Sequence, residues 1–248
     1  MPLLSIITVC LNNKAGLEKT ILSIINQSFS DYEFIVIDGG STDGSVDVIK
    51  KYSDRISIWI SEKDNGVYNA MNKGIKFATG LYCQFLNSGD VLFAPTTLRG
   101  VFNHKHTEDL LYGNMVIDFM NGTKQEGKMP SGISRKHMMR DTLWHPVSFI
   151  KRDLFFVLGT YNEKFSIASD YDFFLKAILV NKVSMFYLDK TIAIFAHDGM
   201  SSLPDNREKL LAERRNIQRQ YFSDKKIESA LRFSFSEKVI RKLKSWLK

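Results

Sequence analysis

The sequence predicts an α/β fold with a central, mostly parallel sheet and flanking helices. Two observations carry this. Short apolar runs rich in Ile and Val alternate with stretches of helical periodicity between residues 3 and 90, and such alternation argues for parallel strands joined by right-handed crossovers. Each run also ends in a polar loop, most of them Gly-containing, which is how a buried strand delivers its C-terminal end to a ligand cleft. A chain of 248 residues, 44% hydrophobic and 25% charged, suits one large domain, or a domain with a tail, and argues against chain-wide disorder.

Leu3 to Val9 is near-continuously apolar, as expected of a strand covered on both faces. Polar Asn12-Asn13-Lys14 follows, and Leu17, Ile21, Leu22, Ile24 and Ile25 then recur at helical spacing. Tyr32 to Ile37 reads as the second strand and ends in Asp38-Gly39-Gly40-Ser41-Thr42-Asp43-Gly44. A short helix fits Val46 to Lys50, a third strand Ile56 to Ile60, and a helix Val67 to Ala78 with Ala70, Met71, Gly74, Ile75 and Ala78 inward. Leu81 to Leu86 is the fourth strand, leading into Asn87-Ser88-Gly89-Asp90. The second half is less regular: Leu110 to Phe119 and Val183 to Phe195 read as strands, and Tyr171 to Val180 as a helix. Composition shifts near Asp205, after which the chain is helical in pattern and dense in Lys and Arg.

The net charge of +7 points to an anionic partner: nucleotide, nucleic acid or an anionic membrane surface. Cys10 and Cys83 both fall in predicted strands without zinc spacing, which reads as buried free thiols in a reducing compartment. No apolar stretch approaches the roughly 18 residues of a spanning helix. Met1-Pro2-Leu3-Leu4 lacks the basic-then-apolar pattern of a secretory signal. The expected location is cytoplasmic.

Asp90, at the end of a buried strand, can hold a divalent cation and through it a diphosphate. The bland reading of Asn87 to Asp90 is a loop. Asp38 before two glycines suits a ribose hydroxyl or a base N–H; the bland reading is a turn with Thr42 or Asp43 capping a helix. In Asp64 to Gly74, polar Asn69, Asn72 and Lys73 share a helix start with Ala70 and Met71. A helix N-terminus of this kind favours phosphate, against a plain capped amphipathic helix. Asp170 and Asp172 sit at a helix start, where the dipole keeps a carboxylate ionised, as a general base requires; capping alone also explains them. His145, in Trp144-His145-Pro146, can face a cleft. His197, between an apolar strand and a Gly turn, suits a metal ligand or a diphosphate contact, although a lone His is more often structural. From Phe235 to Lys248, Phe235, Val239, Ile240, Leu243, Trp246 and Leu247 fall on one side of a helical wheel, with Lys238, Arg241, Lys242, Lys244 and Lys248 on the other. That pattern suits an anionic membrane surface, or else a terminal helix docked on its own domain or forming a dimer contact.

Taken together, these segments resemble the inverting glycosyltransferase family 2, and within it the small bacterial enzymes that build exopolysaccharides such as colanic acid, or O-antigen. The matching stretches are Ser5 to Val9 with Asn12, Val36 to Gly44, Ser61 to Gly74, Phe85 to Asp90, Ser169 to Asp172 and Gly199 to Ser202. The resemblance implies a GT-A fold over 1–204, with a nucleotide-sugar half (1–90) and an acceptor half (91–204), followed by a basic helical extension (205–248). It implies that Thr8, Asp38 and Asp64 hold the base and ribose. Val9, Asn12, Gly39, Gly66, Asn69, Met71, Asn72, Lys73, Asn87 and Ser88 would complete the nucleotide-sugar site. Asp90 takes the family's metal position, for Mg²⁺ or Mn²⁺; His197, from its own place in the chain, is a candidate further ligand. Asp170 is the expected base, with His145 and Asp172 on the acceptor side. The chain departs from the family by carrying one carboxylate in Asn87 to Asp90, and His145-Pro146 where His-Gln is usual. The expected partners are a nucleotide sugar, with a UDP-sugar favoured, a lipid-linked or oligosaccharide acceptor, and the inner face of the plasma membrane, but no nucleic acid. Two rival enzymes lack their signatures: a dehydrogenase needs G-x-G-x-x-G after the first strand, and a nucleotidyltransferase a Gly-rich basic loop there.

Overall fold

The structure, a computed structural model, describes residues 1–230 apart from Met120, Asp198 and Ser201. The first half alternates as expected: β1 (Leu4–Cys10), α1 (Lys14–Ile25), β2 (Tyr32–Asp38), α2 (Ser45–Lys51), β3 (Ile58–Ser61), α3 (Val67–Phe77) and β4 (Tyr82–Phe85). The second half contains β5 (Val91–Leu92), α4 (Thr97–Val101), β6 (Leu110–Asp118), β7 (Lys124–Gly127), α5 (Arg135–Arg140), β8 (Ser148–Lys151), α6 (Asp153–Val157), α7 (Ser169–Leu175), β9 (Met185–Ala196) and α8 (Arg207–Tyr221). A π-helical turn, Lys176–Val180, extends α7.

One sheet runs through the molecule in the order β3-β2-β1-β4-β8-β6-β9-β5, with β7 paired to β6. The strands β3, β2, β1 and β4 are all parallel. Cys10, Asp38 and Ser61 lie in register across three of them, so their C-terminal ends open on one side. Beyond β4 the sheet is mixed: β8 is antiparallel to both β4 and β6, whereas β6 and β9 run parallel over a long, bulged pairing.

All seven residues of β1 are buried, and their alternation divides the core in two. Ile7 and Val9 join Ile35, Ile37, Met71, Ile75 and Phe174 on one face. Leu4 and Ile6 join Leu17, Ile21, Phe34, Val36 and Ile49 on the other. The period-two placement of side chains in a strand makes this division. At Gly74 α3 lies close against the sheet: a Cβ there would lie 2.5 Å from Ile7 Cγ2. The fourth strand is short as a ladder, but its chain keeps following β1. Leu86 N–H donates to Ile7 O and Ser88 N–H to Val9 O, at 3.0 and 3.1 Å. This carries Asn87 to Asp90 to the open end of the sheet.

Cys10 and Cys83 are buried free thiols. Among the described residues no helix is long and apolar enough to cross a membrane. The amphipathic stretch Phe235 to Lys248 lies outside the described residues.

Candidate functional site

The site grows from the strand ends. Asp38 closes β2 and is fully buried. Its Oδ2 accepts from Gly40 N, Ser41 N and Ser61 Oγ at 3.1, 2.9 and 2.7 Å, while its Oδ1 has no partner. A buried carboxylate oxygen without a donor is costly unless a ligand supplies one. Asp64 leans over Gly39: a Cβ on Gly39 would meet Asp64 Oδ2 at 2.5 Å. Asp64 Oδ1 also accepts from Gly66 N–H at 2.9 Å, ahead of α3.

Two neighbours brace this end. Asn12 has a left-handed backbone (φ 50°). Its N–H donates to Ser41 Oγ and its Oδ1 accepts from Thr42 N–H, tying the loop after β1 to the loop after β2. The Thr8 hydroxyl donates to Leu86 O at 2.7 Å, and Val9 O receives Ser88 N–H. These bonds fix the approach to Asn87.

The turn at Asn87 to Asp90 closes through Asp90 N–H to Asn87 O at 2.9 Å, with Gly89 at φ 108°. Asp90 is only 6% exposed, and its Oδ1 accepts from Ala196 N–H at 3.0 Å, joining the end of β9. Asn87 Oδ1 is buried without a partner.

Asp90, Asn87 and Ser88 line a cavity of ≈ 300 Å³ that is also lined by Asp170, His145 and Met71. Asp170 stands in the first turn of α7. The Tyr68 hydroxyl, on α3, is 2.8 Å from both Asp170 Oδ1 and Ile167 O, so one phenolic proton faces two acceptors. Burial, reinforced by the negative charge of Asp170, holds the Tyr68 pKa well above its usual value; the phenol keeps its proton. His145 Nε2 lies 2.8 Å from Tyr161 Oη, and its ring stacks on Phe85. Burial lowers the His145 pKa, against an opposing pull from Asp170, so the ring is neutral at pH 7.

Other residues singled out from the sequence sit elsewhere. Asn72 is buried and bonded at both ends of its amide to Tyr161 backbone, with a further bond to Glu163. Asn69 also donates to Glu163, and Lys73 pairs with Glu62 at 2.8 Å. These three side chains bind α3 to its neighbours. Asp172 points to α8, accepting from the Tyr221 hydroxyl at 3.0 Å. His197 is exposed beside Phe119. Among the described residues no group of three or more His, Cys, Asp or Glu side chains is placed to hold a metal.

The sequence leads to a helix after Asp205, borne out by α8, but not to its place at the site. Its Leu210 and Arg214 line the cavity. Its Glu213 accepts from Ser166, Ile167 and Ala168 N–H at 2.8, 2.9 and 3.0 Å, just ahead of α7. A Lys/Arg-dense helix carries no signal that it will fold back onto a site. Tyr68 lies inside a recognisable motif, but its role follows only from the packing of α3 against α7.

The fold is α/β, with Asp38 at the end of one parallel strand; Asp90, beyond another, lines one cavity with Asp170 at a helix start. The model of one family, Glycosyl transferase family 2, matches residues 5–164, and the chain belongs to that family. A "PGL/p-HBAD biosynthesis glycosyltransferase" of Mycobacterium tuberculosis is 31% identical over 204 residues, covering 80% of this chain and 78% of the relative. An uncharacterized glycosyltransferase of Haemophilus influenzae is 39% identical over 95 residues, 37% of this chain and 38% of that one. Among solved structures, S. aureus TarS 1-349 in complex with UDP-GlcNAc superposes with a TM-score of 0.64 at 21% identity, over 78% of this chain and 58% of TarS 1-349. A Pyrobaculum calidifontis mannosyltransferase in complex with GDP-Man and Mn²⁺ gives 0.59 at 17%, over 86% and 61%. This chain therefore spans less than two thirds of those two proteins, and the likeness establishes the GT-A type of fold.

Proposed function

We propose that the protein is an inverting glycosyltransferase that moves a hexose-type sugar from a nucleoside-diphosphate sugar, a UDP-sugar by preference, to a hydroxyl of a lipid-linked oligosaccharide in surface polysaccharide synthesis. The observation that carries this reading is that Asp90 and Asp170 line one cavity at the open end of the parallel strands. The donor lies along Thr8, Asp38, Gly39 and Asp64. The unpartnered Asp38 Oδ1 accepts from a ribose hydroxyl or the base.

The residues fit a hard divalent cation. Asp90 offers a carboxylate, and the unpartnered Asn87 Oδ1 is a second oxygen in the same turn. Mg²⁺ commonly takes one or two carboxylates and completes its shell with substrate phosphates and water, so a three-residue cage is not required. When bound, such an ion neutralises charge on the leaving diphosphate. The acceptor oxygen attacks the anomeric carbon from the face opposite the leaving group, and the bond to the diphosphate oxygen breaks with its electron pair. Asp170 takes the hydroxyl proton. Tyr68 holds Asp170 in place, and the apolar cavity wall limits competing water.

Thermal shift with UDP, GDP, dTDP and CMP, each with and without Mn²⁺, tests the donor. We expect one diphosphate to raise Tm, and Mn²⁺ to enlarge the rise. Silence with all four would overturn the reading. Asp170→Asn should reduce transfer by at least a thousandfold with the nucleotide shift intact; joint loss of both would remove Asp170 from the role of base.

A further inference from the structure

Arg214 has no part in the reading above, yet it is the one Lys or Arg among the described residues of the cavity wall. It is held there firmly. Its neighbour Glu213 is fastened to the chain ahead of α7 by three backbone N–H bonds. One turn on, Gln218 donates to Met139 O and to the Tyr171 hydroxyl. Between these anchors the guanidinium lies over the Tyr171 ring, 4.3 Å from its centroid. That ring is itself fixed: Tyr171 is buried, and its hydroxyl donates to Met138 O.

Among the described residues no carboxylate forms an ion pair with Arg214. One guanidinium N–H is also engaged by the Tyr171 hydroxyl, and the remaining donors suit an in-plane anion that accepts two hydrogen bonds, as a phosphate does. A half-buried cation steadied by a ring rather than a counter-ion is incomplete by itself. The surroundings narrow the partner further. Trp144, Met200 and Leu210 give the same wall an apolar surface, and Thr142, also on it, has an Oγ without a partner. Asp170, the proposed base, lines the same cavity.

We infer that Arg214 is an acceptor subsite for a phosphate carried by an amphipathic molecule, whose apolar part lies along Trp144, Met200 and Leu210. This deepens the transferase reading and rests on it: the phosphate anchors a lipid-linked acceptor while its sugar hydroxyl meets Asp170. The same chemistry exists in the donor's diphosphate, so the test must separate the two sources.

Calorimetric titration of the full chain with farnesyl phosphate, farnesol and UDP plus Mn²⁺ does so. The wild type should bind farnesyl phosphate at least tenfold tighter than farnesol. Arg214→Ala should bring that ratio to within twofold, leaving farnesol and UDP affinities unchanged, and Arg214→Lys should keep part of the preference. The unchanged farnesol affinity shows that the variant is folded. Equal wild-type affinities, or a ratio that survives Arg214→Ala, would overturn the subsite. A tenfold loss of UDP affinity in Arg214→Ala would overturn it too, by handing Arg214 to the donor. UDP binding without phosphate preference removes the subsite and spares the transferase; phosphate preference with no nucleotide bound removes the transferase and spares the subsite.

Discussion

Asp170 and Asp172 share one turn of α7 and have opposite surroundings. Asp170 lines the cavity, with Tyr68 as its partner. Asp172 is turned into the α7–α8 interface, where burial raises its carboxyl pKa against the lowering effect of the Tyr221 hydrogen bond. Asp172→Asn keeps an oxygen for Tyr221 and removes a charge that burial penalises. We therefore expect it to leave transfer within about threefold and Tm unlowered, in contrast to Asp170→Asn; kinetics and melting of the pair check this. His145 supplies the pH dependence. Its folded pKa is depressed, so the unfolded chain binds the extra proton first as pH falls below about 6.5. Stability from this group is complete above that pH and is lost toward the folded pKa. Melting curves from pH 8 to 5 should fall more steeply for the wild type than for His145→Gln. Which acidic residues stand at strand and helix ends is legible in the sequence. That Asn69, Asn72 and Lys73 bind neighbours of α3, or that Asp172 faces α8, is not, because spacing along a helix says which residues share a face and not what that face meets.

At the scale of elements, the first four strands and their helices are legible because each is an unbroken apolar run or a clear 3.6-residue pattern. β3 starts two residues later than its apolar run suggests, since Ile56 caps a 3-10 turn and stays buried outside the ladder. β5 and β8, with two and four residues, are too short to show periodicity, and β7 (Lys-Gln-Glu-Gly) is too polar. The element whose role most escapes the sequence is α8, which supports the start of α7 through Glu213. Glu213→Ala leaves three backbone donors without their carboxylate, at a cost of about 2–3 kcal/mol. That corresponds to roughly 4–12 °C in a chain of this size. Transfer should fall with it while UDP affinity holds, because Glu213 braces the chain ahead of α7 and not the loops after β1 and β2. Circular dichroism melts and nucleotide titration of the variant measure both. A Gly74→Ala change works from the other side: helix propensity gains about 1 kcal/mol, but the Cβ placed 2.5 Å from Ile7 Cγ2 overpacks the α3–β1 contact by 1–3 kcal/mol. The expected net effect is a lower Tm.

The whole molecule joins two halves with different logic. The parallel half sets acidic groups at one edge by repetition, whereas the mixed half brings Trp144, Asp170 and Arg214 together from distant stretches. Its charge is also unevenly placed along the chain. The net +7 is concentrated late: 235–248 alone holds Lys238, Arg241, Lys242, Lys244 and Lys248 against one acidic residue, Glu237. Each basic residue near an anionic bilayer is worth about 1 kcal/mol at physiological salt, and that attraction fades as the Debye length shrinks from about 10 Å at 0.1 M toward 3 Å at 1 M. Phe235, Trp246 and Leu247 in the same stretch add a salt-independent apolar part. The full chain should therefore sediment with phosphatidylglycerol vesicles and much less with phosphatidylcholine, and raising NaCl from 0.1 to 0.5 M should release most of it. Removal of 235–248 should abolish the binding and leave UDP affinity unchanged. Sedimentation that persists without those residues would move the membrane contact to the folded domain, and the proposed lipid-linked acceptor would then meet the enzyme through the cavity wall alone.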